Sequence, residues 1–293
     1  MGDKMKNYIL YNPISDNGSG AKVRNEIDAY IRTGKLIFMD VTGIKDINAF
    51  IDTIDISDNI IIAGGDGTLN HFINDCDHLL RDIYYYPCGN GNDFARDIKK
   101  RKGLIRINKY AKSLPTCTFN GETLKFFNGV SCGIDGYSCT ECERIRRSTD
   151  KNVNYGVIAI KGIMKGYNPV NATITVDGEK REYTKVWACA TMKGKYYGGG
   201  FMLAPEQNRL DEDNSLSLVV AHDASKFVIT LALASVLIGK HTKWFKKYVD
   251  VIKCSDVKVE FDAPVSLQID GEGYENITGY EATKENVLWN LKA

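Results

Sequence analysis

The stretch NIIIAGGDGTLNHF, residues 59–72, runs three isoleucines into two glycines, an aspartate, a third glycine and a threonine. Gly64, Gly65 and Gly67 let the main chain approach an anion with its N–H groups turned toward it. Thr68 is placed to cap a helix starting there, and the positive end of that helix favours phosphate. Asp66 is a poor direct partner for phosphate, because like charges repel. Its carboxylate makes sense with a Mg²⁺ lying between it and phosphate oxygens. The competing account is a tight strand-to-helix turn in which Asp66 is a simple cap.

Commoner phosphate and catalytic signatures are missing. No G-x-x-x-x-G-K-[ST] loop occurs, and GSGAKV at 18–23 has neither the glycine spacing nor the hydroxyl residue after its lysine. G-x-G-x-x-G fails because Val23 stands where its last glycine would be. The H-R-D and D-F-G pair of protein kinases and the G-x-S-x-G of nucleophilic hydrolases are absent too.

The elements around the glycine turn alternate. Strand signals at 7–13, 35–42, 59–65 and 82–89 are separated by helical patterns at 18–34, 46–54 and 68–80. Short apolar β-runs between amphipathic helices predict a doubly wound, Rossmann-like parallel sheet, with ligands beyond the carboxyl ends of its strands. After about residue 120 the rhythm becomes mostly strand-like, with period-two alternation and a hairpin signal at Asp177–Gly178. The helical exceptions are a basic stretch near 141–165 and the apolar segment 226–239. The expectation is an α/β domain over 1–120 and a β-sandwich-rich domain over 121–293, closely packed with a cleft between them; the C-terminal segment has scope to pack back on the first domain.

Bulk properties narrow the class. The 293 residues are 43% hydrophobic and 26% charged with a formal charge of +1, so nothing global draws the chain to nucleic acid or anionic lipid. The eight cysteines read as reduced thiols, since residues 1–30 hold no apolar signal-peptide core and the Cys139/Cys142 pair lacks a second C-x-x-C. The longest apolar run, FVITLALASVLIG at 227–239, is shorter than the roughly 20 residues a spanning helix needs. A soluble cytoplasmic protein, peripheral on a membrane at most, is expected.

Five segments in order then carry a resemblance: YNPISDNGSG (11–20), GGDGTLN (64–70), PCGNGNDFAR (87–96), FNGVSCGIDG (127–136) and IDGE (269–272). Together they resemble the soluble bacterial diacylglycerol kinases and related lipid kinases, whose catalytic domain is shared with sphingosine and ceramide kinases. GGDGT alone is shared with NAD kinases and phosphofructokinases; the N-D-F-A-R block is the more specific signal.

The resemblance implies an ATP- and Mg²⁺-dependent transferase of lipid metabolism and phospholipid biosynthesis, phosphorylating diacylglycerol or a similar lipid alcohol. By motif position, Asn12, Pro13, Ile14, Ser15, Asp16, Thr42, Gly65, Asp66, Gly67, Thr68, Leu69, Asn70, His71 and Asn90 line the nucleotide. Asp66 and Asp93 hold Mg²⁺, Glu272 lies nearby, and Asp270 is the general base. The tripeptide itself is cheap: VDGE recurs at 176–179. The resemblance also implies a second, structural Mg²⁺ or Ca²⁺ at 208–220, on the carbonyls of Leu210 and Ser215 and the carboxylate of Asp213. An acidic hairpin loop is the plainer account of that segment.

Three positions depart from the pattern: His71 stands for Glu, Asn90 for Thr or Ser, and Asn214 for Gly. The basic aromatic stretch GKHTKWFKKY at 239–248 suits peripheral contact with an anionic membrane or, equally, a solvated helix end. NAD kinase is the competing enzyme, and a catalytically silent lipid- or nucleotide-binding module the competing class. No nucleic-acid partner is expected, and an exposed sandwich edge is compatible with a homodimer.

Overall fold

The computed structural model describes residues 5–13, 19–76, 81–148 and 153–288. The chain divides into two compact units, Met1–Leu114 with Val287–Ala293, and Pro115–Asn286.

In the first unit, strands β1 (Lys6–Tyr11), β2 (Lys35–Asp40), β3 (Asn59–Gly64), β4 (Ile83–Pro87) and β5 (Ile105–Arg106) form one sheet in the order β2-β1-β3-β4-β5. The first four are parallel, and only β5 runs antiparallel to its neighbour. Parallel strands are covered on both faces, which is why the isoleucines of β3 follow one another without alternation: Ile60, Ile61 and Ile62 are all buried.

The helices of this unit are α1 (Ser19–Glu26), α2 (Ile47–Asp52), α3 (Asp66–Asp75), α4 (Asp93–Asp97) and α5 (Asn108–Ala111). The helical pattern expected to Gly34 ends early, in a 3-10 turn at Ile27–Ala29. Asp46 caps α2 by accepting from the Ala49 N–H at 2.9 Å. The expected helix over 68–80 begins two residues sooner, at Asp66, and residues 77–80 lie outside the described ones.

The second unit is built from β6 (Ser113–Phe119), β7 (Glu122–Lys125), β8 (Gly129–Gly133), β9 (Val170–Val176), β10 (Glu179–Val186), β11 (Ala188–Met192), β12 (Tyr196–Tyr197), β13 (Phe201–Met202), β14 (Leu216–Ala221), β15 (Val249–Cys254), β16 (Asp256–Ile269) and β17 (Glu272–Leu288). Its helices are α6 (Ile134–Ser148), α7 (Tyr155–Lys161), α8 (Lys226–Val236) and α9 (His241–Trp244), with a π-helical turn at Gly162–Gly166.

Strand β16 joins the two halves of a sandwich-like antiparallel sheet. Its Val257–Phe261 segment pairs with β9 and its Leu267–Ile269 segment with β8, with register shifts between Glu260 and Leu267. Pro264 sits in that interval, where a ladder N–H is not needed. A strand that changes partners through such an irregularity wraps the sheet around one core. Cys132, Ile174, Leu218, Val259 and Ile277 meet there.

In FNGVSCGIDG the strand ends at Gly133 and α6 starts at Ile134, ahead of the helical stretch expected near 141–165. Gly136 makes that junction possible. A Cβ there would lie 2.0 Å from the Ser266 carbonyl oxygen, so only glycine lets α6 lie directly on β16.

Candidate active site

The parallel order of the first sheet gathers four strand ends on one edge. Tyr11 is in register with Asp40 and Ala63, and Gly64 with Pro87. From β1 the chain moves to one side for β2 and to the other for β3, so the topological switch point, the usual ligand crevice, lies between β1 and β3. Asn12 and Pro13 follow β1, Thr42 follows β2, Gly65 to His71 follow β3, and Asn90 follows β4. Segments far apart in sequence are thus brought to one edge. Ile14, Ser15 and Asp16 lie outside the described residues.

These positions differ in what they present. Thr42 sits in an exposed 3-10 turn, its N–H and Oγ1 both donating to Asp40 Oδ1 at 2.9 and 2.7 Å. His71 and Asn90 are exposed, Asn70 is buried, and the Leu69 side chain is fully buried in the core. Thr68 does not cap α3. Gly65 occupies the cap position and supplies no side-chain acceptor, while Thr68 lies inside the first turn. A Cβ on Gly64 would come within 2.4 Å of the Thr68 side chain, so the first glycine exists to seat the threonine.

Asp66 joins two motifs that are 27 residues apart. Its Oδ2 accepts from the Asp93 N–H at 2.9 Å and its Oδ1 from the Phe94 N–H at 3.2 Å. The carboxylate of GGDGT therefore caps the short helix of N-D-F-A-R, satisfying donors that a helix start leaves without intrahelical partners.

The rest of the block has equally local reasons. Asn92 is left-handed at φ 49°, which asparagine tolerates, and its side-chain amide bonds both to the N–H and to the carbonyl of Gly89. Phe94 is fully buried, with its ring 6.0 Å from Tyr85 and 5.2 Å from Tyr110. The buried Asp93 carboxylate has Arg96 Nε 3.8 Å away. Tyr85 returns to the glycine turn, donating to the Gly64 carbonyl at 3.0 Å.

In the second unit, Asp270 and Gly271 form a two-residue turn between β16 and β17, with φ of 47° and 98°. Positive φ at both positions is the hairpin geometry that matches strand twist. The buried Asp270 carboxylate accepts from three successive N–H groups, those of Phe127 (2.5 Å), Asn128 (2.8 Å) and Gly129 (3.0 Å). F-N-G and D-G-E, read separately in sequence, are one hydrogen-bonded unit. Glu272, half-buried, opens β17 directly after the turn.

Several supporting contacts are not legible in the sequence. Arg209 donates to the Phe127 carbonyl at 2.8 Å and to Asn128 Oδ1 at 2.9 Å, bracing the segment that holds Asp270. The Cys139 thiol donates to the Gly271 carbonyl at 3.0 Å, and burial pushes that thiol well above its ordinary range. Glu143 accepts from the Gly273 N–H at 3.0 Å. Asp135 is buried beside an apolar cavity lined by Ile134, Ile163, Val219 and Ile229, and accepts from Ser131 and Tyr197. Burial raises its carboxyl above the usual range, partly offset by those hydrogen bonds. Asp135 lies within G-x-D-G, and an aspartate between two glycines at a strand-to-helix junction was the available signal.

In the loop where the resemblance implies a structural ion, several oxygens take protein donors. The Ser215 carbonyl accepts from Gln207 Nε2 at 2.8 Å, and the Asp213 carbonyl accepts from Lys284 Nζ at 3.0 Å. Leu210 is exposed and its N–H donates to Asn208 Oδ1. Asn214, at φ 53°, adopts the left-handed backbone the pattern reserves for glycine. Among the described residues no group of three or more His, Cys, Asp or Glu side chains could hold a metal ion.

Comparison with known proteins agrees with both units. Residues 6–117 match the diacylglycerol kinase catalytic domain, and residues 128–283 match the YegS C-terminal NAD kinase beta sandwich-like domain. A protein of Shewanella frigidimarina (strain NCIMB 400) described as "Probable lipid kinase YegS-like" is 26% identical over 234 residues, 75% of this chain and 72% of that one. A diacylglycerol kinase of Bacillus subtilis (strain 168) is 27% identical over 228 residues, 73% of this chain and 71% of that one. A crystal structure of a diacylglycerol kinase from Bacillus anthracis str. Sterne shares the fold, with a TM-score of 0.64 at 18% identity over 99% of each chain. Both domain models, in order along a chain with this mixed α/β and β-sandwich-like architecture, show that the protein is a phosphotransferase belonging to the diacylglycerol kinase and YegS-like lipid kinase family.

Proposed function

We propose that the protein transfers the γ-phosphoryl group of ATP to the hydroxyl of diacylglycerol or a closely similar lipid alcohol, yielding a phosphatidic-acid-type product. The observation carrying this reading is the coupling of GGDGT to N-D-F-A-R through Asp66, at a strand-end switch point suited to a nucleotide phosphate. Asn12, Pro13, Thr42, Gly65 to His71 and Asn90 are the nucleotide-binding set. Leu69 and the buried Asn70 contribute backbone position, and the exposed His71 and Asn90 contribute polar side chains.

Asp66 and Asp93 supply hard carboxylate oxygens, which suit Mg²⁺, an ion that takes one or two carboxylates and completes its shell with phosphates and water. When bound, the ion neutralises the phosphate charge. The chain's own part is positioning: the α3 N-terminus favours the phosphates, and Asp66 keeps the two motifs in register. Asp270 is the proposed base, taking the proton of the acceptor hydroxyl as that oxygen attacks phosphorus in line. Three N–H donors fix its carboxylate, so little reorganisation accompanies the step.

A membrane-facing surface accompanies the reaction in this proposal. Helix α7, the π-helical turn after it and α8 share one buried cluster that includes Ala159, Ile163, Ile229 and Ala232. Val157, Ile160, Met164, Phe227, Leu231 and Trp244 remain exposed on this helical layer. Segments 155–166 and 226–248 contain seven lysines and no Asp or Glu. Apolar residues among acid-free lysines suit an anionic lipid surface. No helix among the described residues is long and apolar enough to cross a membrane.

The test is transfer of labelled γ-phosphate from ATP and Mg²⁺ to diacylglycerol, monoacylglycerol, sphingosine and ceramide in mixed micelles, and to NAD in buffer. Labelled phosphatidic acid is expected, with Asp270→Asn lowering turnover by about 10²-fold or more while ATP affinity persists. Label in NADP would move the chain to NAD kinase chemistry. Absence of product with every acceptor would leave a binding module, and full turnover by Asp270→Asn would remove that residue as base.

A further inference from the structure

The loop between β13 and β14 bears on a structural divalent ion. Three lysines converge on this loop, and one of them meets the Asp213 carboxylate that such an ion would use. Lys193, buried at the end of β11, donates to the carbonyl of Asn214 at 3.4 Å and to its side-chain Oδ1. Lys284 of β17 donates to the Asp213 carbonyl at 3.0 Å. Lys253 of β15 lies 2.7 Å from Asp211 Oδ2 and 3.6 Å from Asp213 Oδ2.

The remaining groups close on one another. Ser215 Oγ donates to Asp211 Oδ2 at 2.6 Å, and Gln207 spans from the Ser215 carbonyl at 2.8 Å to Ser217 Oγ at 2.6 Å. Asp211 and Asp213 face Lys253 of β15, the Asp213 carbonyl takes Lys284 of β17, and Asn214 takes Lys193. A divalent ion on the Asp213 carboxylate would share it with the Lys253 ammonium and be repelled by that charge, and the Ser215 carbonyl already serves Gln207.

We propose that the chain's own ammonium groups, Lys193 at the centre, lock this loop in place of a divalent ion, so that the fold of the second unit is independent of divalent metal. An ammonium group offers three donors to carbonyl and carboxylate oxygens and fixes them as charge-assisted hydrogen bonds. The lock also reaches the candidate base. The Lys193 and Gly194 N–H groups donate to the Asn128 carbonyl at 2.8 and 2.9 Å, and the Asn128 N–H donates to Asp270. The proposal concerns the loop alone and stands whichever acceptor the enzyme uses.

The experiment is thermal unfolding of the full, nucleotide-free chain in EDTA and in millimolar MgCl₂ or CaCl₂, with metal content measured by plasma mass spectrometry after purification. The expected result is one midpoint in all three solutions and no stoichiometric divalent ion. Lys193→Met and Lys284→Met should each lower the midpoint, by about 3–10 °C given the worth of a hydrogen bond to a charged group. Lys284 is only half-buried, so its variant keeps the test decisive if Lys193→Met does not fold. A retained stoichiometric ion, a midpoint lowered by EDTA and restored by Mg²⁺ or Ca²⁺, or lysine variants with unmoved midpoints would each overturn the lock.

Discussion

Asp66 shows how much one carboxylate does before any ligand arrives. The sequence offers it as a metal-facing group or a cap of its own helix; in the structure its two oxygens cap a different helix, at Asp93 and Phe94. A side chain at the start of α3 thereby determines where α4 starts. Asp66→Ala should cost about 1–2 kcal/mol of stability through the lost cap and also weaken Mg²⁺-dependent ATP binding. Asp66→Asn keeps one good acceptor oxygen and should recover most of the stability but not the metal-dependent part of binding. Denaturant unfolding paired with ATP titration, with and without Mg²⁺, separates the two. Equal metal dependence in Asp66→Asn and the parent would take Asp66 off the ion.

The two D-G-E hairpins share letters but not surroundings. The turns at 177–178 and 270–271 have the same backbone, with φ of 48° and 87° in the first and 47° and 98° in the second. Both aspartates even accept from a neighbouring strand: Asp177 Oδ1 takes the Ser255 and Asp256 N–H groups at 2.9 and 2.8 Å. The local geometry is shared; the surroundings are not. Asp177 is exposed at a hairpin tip, while Asp270 is buried against F-N-G. Asp177→Ala should therefore cost about 1 kcal/mol of stability and leave turnover unchanged. Chemical denaturation and steady-state rates check this, and a turnover loss matching that of Asp270→Asn would undo the contrast.

For the whole molecule, a near-neutral net charge hides local segments of one sign. The formal charge is +1, yet the helical layer of α7 and α8, with α9, carries lysines without acids. Reversing Lys243, Lys246 and Lys247 to Glu should weaken sedimentation with anionic phosphatidylserine vesicles by at least about 100-fold, at roughly 1 kcal/mol per lysine near the surface. ATP binding should be untouched. Equal binding of parent and variant to those vesicles would exclude this surface.

The sequence by itself determined most of the order of elements and the family-bearing segments, because these follow from short-range causes. Period-two and 3.6-residue patterns, glycine at turns and asparagine or aspartate at positive φ all act within a few residues. That is why the alternation of the first unit, the change to strands after it and the family-bearing segments were legible, while element ends such as Asp66 and Ile27 slipped. Only the tertiary structure decided which distant groups meet. The bonds from Asp66 to Phe94, from Asp270 to Phe127 and from Lys193 to Asn214 join positions 28, 143 and 21 residues apart. Their partners are backbone N–H groups and ammonium groups, which every segment offers and no motif marks. Strand order and register select among them. The same selection gives one D-G turn a buried carboxylate and leaves its twin at the surface.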